Sequence, residues 1–394
     1  MDDLYEYLIP EYYEAFHCKG SDCRSTCCRG WSISLSMKEY FRLLGMECTP
    51  ELRRRLDSAF HMVDHPSTDR YAQITPNWQG DCPLRLPNGL CGLQCECGEE
   101  SIPSICRLYP RGAHSAFEME CSCSGSCEGV MEILLELKEP MRFVRRKLPV
   151  RPEDEPMDRE DLRVRYYTQV RELIIGALQT RRYQLCDRIT FAGAMLERLH
   201  PAFLSGQSEE VERALEDCRD MTSPDRLDKD EKFALYVQYR MSEMFGRYSM
   251  NVAPYAAHAR EMFGLDGDEI DGRSISQAVE KYRAAVKRFE KQFPDWQTMF
   301  EQMLVNHVFF EQFPFSDRHE SIREEYWSLC AAYAFVRFLA VGWMADKEGK
   351  EALADVCAAA FRLIDHSSFD RNAAALLESM GVRSAENMAR LTLI

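Results

Sequence analysis

The stretch Phe16–Trp31 reads FHCKGSDCRSTCCRGW and sets Cys18, Cys23, Cys27 and Cys28 in a C-x4-C-x3-C-C arrangement. Downstream, Cys82, Cys91, Cys95, Cys97 and Cys106 form a second group, and CSCSGSC supplies Cys121, Cys123 and Cys127 as a third. Of the 17 cysteines in the chain, 13 fall between Cys18 and Cys127. In a small secreted domain such density would mean disulfides. The opening MDDLYEYLIP, however, carries acidic residues where a secretory signal needs positive ones, and no apolar core follows. The chain is therefore expected in the cytoplasm, where thiols stay reduced and clustered cysteines more often hold metal. The odd total also fits poorly with a fully paired disulfide framework.

Thiolate-only donor sets select zinc or iron–sulfur clusters over harder metals. The interleaved Gly, Ser and Pro supply tight turns and leave backbone N–H groups available to cluster sulfurs. Close spacing lets several sulfurs converge at little chain-closure cost. The paired C-x2-C hooks of zinc ribbons are absent. Adjacent Cys27 and Cys28 diverge too readily to share one tetrahedral zinc. An iron–sulfur cluster is the favoured reading, zinc the alternative, and structural or redox thiols a third. Cys186, Cys218, Cys330 and Cys357 are scattered among helical stripes and read as packing residues, as does Cys48.

The 394 residues allow two or three domains, and 45% hydrophobic with 29% charged residues is an ordinary globular balance. A net charge of −15 argues against non-specific binding to nucleic acid or anionic membrane. No run of eighteen apolar residues occurs; the nearest, Ala331–Ala345, is broken by Arg337 and reads as a buried helix. Within residues 1–147, Trp31–Leu35 alternates as a strand does, and Ser36 with Glu39 makes a capping box opening a helix. Arg70–Thr75 and Ala116–Glu120 are further candidate strands. Val130–Lys147 reads as a helix with a basic end at Arg142, Arg145, Arg146 and Lys147. Residues 148–161, LPVRPEDEPMDRED, read as a linker. Beyond it, Leu162, Tyr166, Val170, Leu173, Ile174 and Ala177 share one helical face. Similar stripes run over 187–204, 230–246, 275–292, 297–312, 320–345, 350–365 and 370–379. Segments 205–229 and 247–274 read as loops with short helices, Gly264–Gly272 among them. The expected fold is mostly α: a cysteine-rich α+β metal-binding domain over 1–147, then an all-helical domain over 162–394. No strand, glycine-rich turn and helix succession predicts a Rossmann-type methyltransferase sheet.

Several segments together resemble the flagellin lysine-N-methylases. They are the cysteine run ending CCRGWSISL, CPLRLPNGLCGLQ, CRLYPRG, SCEGVMEILL, EQMLVNHVFFEQFPF and FRLIDHS, in the family's order along nearly the whole chain. The front cysteine pattern is also similar to a broader family of short zinc- or iron-chelating proteins. Gln302, Met303 and His307 stand where the family tends to have Asn and Tyr, Phe361 where it has Ser, and Asp365 where it has Glu. Cys95, Cys97, Cys121 and Cys123 are additions to the family set. The resemblance implies methyl transfer from S-adenosylmethionine to flagellin lysines in the cytoplasm, by a protein carrying a [4Fe–4S] cluster. Cys18, Cys23, Cys27, Cys28, Cys82, Cys91, Cys106 and Cys127 are the matching metal candidates, of which one cubane takes four. The rival is a non-catalytic iron–sulfur or zinc protein, a redox sensor or adaptor, on the same fold.

Methyl transfer to an amine needs the lysine stripped of its proton, and an ε-ammonium pKa of about 10.4 makes that form scarce at neutral pH. A desolvated channel and a polar proton acceptor are required, with nitrogen, carbon and sulfur held in line. No C-x3-C-x2-C triplet of a radical S-adenosylmethionine enzyme is present. Asn306, inside apolar LVNHVFF, either caps a neighbouring element or contacts a ligand, and with Tyr109 is a catalytic candidate. Tyr109 and Arg111 follow Cys106 closely and could fix the cluster's surroundings or line a cleft. Arg362 and His366, four apart on one helical face, are candidates with Arg111 for binding the cofactor.

Overall fold

Helical periodicity governs everything after Leu162. The computed structural model describes residues 4–222, 227–267, 270–316 and 321–394. The stripes fall on helices Leu162–Leu178, Leu185–Ser205, Glu231–Tyr248, Gly272–Gln292, Trp296–Phe310, Ile322–Trp343, Lys350–His366 and Phe369–Ser379. The two segments read as loops each hold one further helix, Ser208–Asp220 and Ala253–Phe263, and Ala385–Leu391 adds a last one. Side chains of Asp161, Asp230, Asp271, Ser321 and Ser384 accept from the exposed N–H groups that open their helices. Gly264 takes a left-handed conformation that ends one helix, and Gly272 opens the next. Residues 268–269 of that glycine-bearing loop lie outside the described ones. Trp296–Phe310 and Ile322–Trp343 are buried on nearly every side, as helices apolar all round must be. Among the described residues no helix is long and apolar enough to cross a membrane.

The chain divides into two compact units, one of them His17–Arg111 with Cys127–Gly129, the other the remainder. This division does not follow the boundary expected at 148–161. The reason is strand pairing. Tyr5–Pro10 pairs antiparallel with Phe143–Leu148 along its whole length and parallel with Glu120–Cys123, in a sheet whose order continues to Arg111–His114. The chain start therefore belongs with the helices. The expected helix over Val130–Lys147 is correspondingly shorter, Glu128–Glu136; Pro140 follows, and the basic run lies on the Phe143–Leu148 strand. Ala116–Glu120 is not a strand; pairing begins at Glu120. Residues 149–161 form neither helix nor strand, but they are not loose. Glu153 and Met157 donate backbone bonds to Ala113 and Ala116, and Asp154 accepts from the backbone and hydroxyl of Ser115.

The cysteine unit is α+β. Ile33–Leu35, Ala72–Ile74 and Phe60–Met62 form a three-stranded antiparallel sheet with Ala72–Ile74 central. The Ser36–Glu39 capping box is present in both directions. Leu35, Leu43, Leu52, Leu56, Ile74 and Leu84 build a small core, against which Cys82 and Cys91 pack. No Rossmann-type sheet occurs among the described residues.

Close helix contact in the larger unit gives a prediction with opposite signs at two glycines. A Cβ at Gly342 would meet the Ala259 Cα and Cβ at 2.6 and 2.3 Å, whereas one at exposed Gly176 meets nothing within 4 Å. Gly342→Ala is expected to cost about 1–3 kcal/mol of unfolding free energy in urea, and Gly176→Ala to gain up to about 1 kcal/mol. Equal effects would show that the helices do not meet at Gly342.

Candidate functional site

Eleven of the 17 cysteines lie in the smaller unit, the eight metal candidates among them, and no disulfide joins any of the 17. Cys18 and Cys106 are exposed, while Cys23, Cys27, Cys28, Cys82, Cys91 and Cys127 are half-buried. Backbone bonds lace their loops. Cys82 N–H donates to Cys28 O at 2.8 Å, and Gly30 N–H to Gly80 O at 2.9 Å. Gly92 N–H donates to Leu84 O at 2.8 Å and Leu86 N–H to Leu90 O at 2.8 Å, so Cys91 stands opposite Arg85 across a tight turn. The turn is close there: a Cβ at Gly92 would sit 3.1 Å from Leu84 O, so a larger residue would push the turn apart by a few tenths of an ångström. The Glu39 carboxylate also accepts from Ser104 N–H and Oγ, both at 2.7 Å, fixing the short helix Ser104–Leu108 that carries Cys106.

Nearby backbone N–H groups, of Leu84 and Arg85 at Cys82 and of Leu93 and Gln94 at Cys91, favour the thiolates against burial. Burial nevertheless pushes the Cys82 thiol up to about 11. The Cys28 thiol moves the other way, to about 6, through the hydrogen bond it takes from Cys27, helped by the Thr26 hydroxyl and the Arg85 charge against the effect of burial. Trp31 Nε1 donates to Cys27 O at 2.6 Å and packs edge-on to Tyr109, ring centroids 5.4 Å apart. Tyr109 is thus part of an aromatic wall behind Cys27.

A second frame surrounds Cys18, Cys23 and Cys127. Glu128, 1% exposed, accepts from Lys19 Nζ at 2.9 Å, Arg24 N–H at 3.1 Å and Ser25 N–H at 2.5 Å. Burial opposes its charge, but these donors outweigh it and hold the carboxyl below its usual value. The acid directly after Cys127 is legible in the sequence, though its role there is not.

In the larger unit a polar network runs through otherwise apolar packing. His307 Nδ1 lies 3.2 Å from Asp365 Oδ1, and the other Asp365 oxygen accepts from Ser124 Oγ. Ser124 Oγ is 2.7 Å from Ser126 Oγ, which lies 2.8 Å from Nε2 of exposed His366. Arg362 Nε donates to Ser126 O at 3.1 Å. Next to His307 in the chain, Asn306 Nδ2 donates to Cys123 O at 3.0 Å while its Oδ1 accepts from Tyr12. Burial works against both charges of the central pair. Asp365 still holds the His307 imidazole above its ordinary value, and His307 with His366 and Ser124 holds the Asp365 carboxyl below its own. Ligand atoms of His307, Glu311 and Asp365 lie mutually within 4.8 Å, and no set of three cysteine sulfurs does so among the described residues.

The predicted residues are therefore divided. Asn306, Arg362 and His366 meet around Cys123–Ser126, whereas Tyr109 and Arg111 belong to the cysteine unit. Asn306 serves as a clamp on the Cys123 carbonyl. Sequence reasoning missed Ser124, Ser126, Asp365 and His307 as partners; the serines read only as turn residues, and nothing local marks their pairing with a helix some 240 residues away. A separate cleft of about 320 Å³, lined by Asp161, Arg163, His200, Phe203 and Phe315 among others, contains none of the predicted residues.

Residues 171–391 match the family model of the FliB lysine N-methylase C-terminal domain, more than half of the chain. A lysine-N-methylase of Salmonella typhimurium is 27% identical over 134 residues, 34% of this chain and 33% of that protein. The flagellar biosynthetic protein FliU of Salmonella muenchen is 26% identical over 140 residues, 35% of this chain and 82% of that protein. The alignment thus spans only about a third of the curated lysine-N-methylase. No solved structure matches the chain significantly.

Two measurements test this geometry. The His307 contribution to stability is complete below about pH 6.5 and fades as pH rises through its raised folded value; that of Asp365 is complete above about 3.8 and fades as pH falls through its lowered one. Asp365→Asn is expected to lower the His307 titration midpoint in NMR spectra and to flatten the loss of stability at alkaline pH. An unmoved midpoint would contradict the pair. Glu128→Gln is expected to cost about 1.5–3 kcal/mol in denaturant unfolding of the cysteine unit, the range for hydrogen bonds to a charged group.

Proposed function

We propose a function from the premise that this chain belongs to the FliB lysine N-methylase family: it transfers methyl groups from S-adenosylmethionine to lysine ε-amines of flagellin in the cytoplasm, and its cysteine unit holds an iron–sulfur cluster. The observation that carries the reading is convergence. Three segments far apart in the sequence, around Ser126, His307 and His366, each lying in a stretch resembling the family, meet in one hydrogen-bonded network inside the larger unit. Neither nucleic acid nor membrane enters this reading.

The chemistry asks for a group that takes a proton from an ammonium. His366 is exposed, and its Nε2 is linked through Ser126 and Ser124 to buried Asp365. We assign it the lysine proton. The freed amine then attacks the methyl carbon opposite the sulfonium sulfur; the C–N bond forms as the C–S bond breaks, releasing S-adenosylhomocysteine, and a proton leaves the nitrogen. Arg362 and Asn306 hold Ser126 and Cys123 in place for this arrangement. General-base help of this kind is worth about 10²–10⁴-fold.

The donor set suits a cluster. Thiolates around one zinc at about 2.3 Å would be roughly 3.8 Å apart, whereas a cluster spreads its thiolates over separate irons. All eight candidate thiols stand in one unit, and none is tied up in a disulfide. When bound, a cluster supplies positive charge that ionises its thiols and ties their loops together. The transfer itself uses the chain's own residues.

The test incubates anaerobically purified protein with methyl-labelled S-adenosylmethionine and unmodified flagellin. Label on lysine is expected, and His366→Gln should lower kcat at least about 10²-fold with its pH profile altered. Absence of any cofactor binding would overturn the proposal; binding without transfer to several flagellins would favour the non-catalytic alternative.

A further inference from the structure

We propose that His307, Glu311 and Asp365 form a binding site for one divalent first-row metal ion, apart from anything the cysteines hold. The proposal goes beyond the methyl-transfer reading and does not rest on it.

Helical spacing brings two of the three together. His307 and Glu311 are four apart where the helix Trp296–Phe310 ends, and Glu311 N–H donates to His307 O at 3.0 Å, so both side chains leave the same side of one turn. Asp365 comes from the last turn of Lys350–His366, a second helix of the same unit. One ligand atom of each residue lies within 4.8 Å of the other two. His307 Nδ1 and Asp365 Oδ1 are 3.2 Å apart. Two ligands each about 2.0–2.1 Å from a tetrahedral ion stand roughly 3.3 Å apart, nearly the same separation. A hydrogen bond would give that spacing too. It does not call for the third donor, Glu311.

Acidic groups on a surface often gather without an ion. Here His307 is 8% and Asp365 4% exposed and Glu311 is half-buried, so packed helices hold the three together largely out of water. Two carboxylates against one imidazole leave the trio negative even with the ring protonated, which selects a cation as the ligand. The Phe361 ring, its centroid 5.6 Å from that of the imidazole, is an apolar wall beside it. The second Asp365 oxygen accepts from Ser124, which fixes the carboxylate with Oδ1 toward His307, the support that ligating carboxylates receive. That bond is kept when an ion binds, and so is the link through Ser126 to His366.

One nitrogen and two oxygens, with no sulfur, suit manganese, iron(II) or zinc. Three protein ligands leave a position for water, as in an open site. Ligands must be deprotonated, so the ion displaces the Nδ1 proton of His307; ion pair and ion are alternative occupants of one place.

The test adds Mn²⁺ to the full chain, purified without oxygen, because thiolates do not select this ion and the cysteines stay silent. Loss of the free-ion electron paramagnetic resonance signal counts what is bound, and far-ultraviolet circular dichroism checks folding. One saturable Mn²⁺ per chain is expected, and H307Q, E311Q and D365N should each weaken it at least about ten-fold. D217N, in an exposed ion pair of the same unit, should leave it unchanged. No saturable binding up to about 1 mM, the weak end for divalent-cation sites, overturns the proposal, as does binding that folded variants of the trio retain in full. Where a variant does not fold, the wild type decides: bound Mn²⁺ should broaden the His307 ring signals in NMR spectra and spare those of His61 and His258, and the reverse pattern overturns the site. Neither S-adenosylmethionine nor flagellin enters the assay, so its failure and that of the methyl-transfer reading are told apart.

Discussion

A carboxylate taken out of water must be surrounded by donors, and two such carboxylates sit eight residues apart at Glu120 and Glu128. Glu120 is met by Tyr167 and the Arg171 guanidinium, Glu128 by Lys19 and two backbone N–H groups. Between them Cys123 O is held by Asn306, and Ser124 by Asp365. This short stretch passes from the larger unit into the smaller one, and each unit's polar groups are organised on its own part of it. Unsatisfied, either acid would cost several kcal/mol, so the partners are obligatory.

The two candidate sites follow from different physics. The cysteine unit has a small core, and its loops are arranged by backbone lacing, tight glycine turns and the double use of Glu39 as helix cap and anchor for Ser104. The larger unit builds its network on long, thoroughly buried helices, where a polar side chain has few ways to point and must find its partner. That rigidity is what gives His366 a defined link from the surface to Asp365 and His307.

Much of this was legible in the sequence. The helices after Leu162 follow apolar spacing that no other structure would use, and Ser36 with Glu39 marked a helix start from local chemistry alone. The Tyr5–Pro10 strand was not legible, because its partner Phe143–Leu148 lies over 130 residues away and pairing leaves no trace in either segment. For the same reason the basic run before Leu148 passed for a helix end. Among the site residues, the cysteines announced themselves by density. The serine, histidine and aspartate network did not, because each member is commonplace until the fold brings it to the others.

Glu128 closes onto Lys19 across 109 residues of chain, and a ribosome makes proteins from the front. Until synthesis has passed residue 128, the first cysteine loop has no carboxylate to gather it, and its thiols are left to whatever oxidant or stray ion the nascent chain meets. Productive maturation is therefore timed by the last of these groups to emerge, and premature termination anywhere before it leaves unguarded thiols in place of a folded unit.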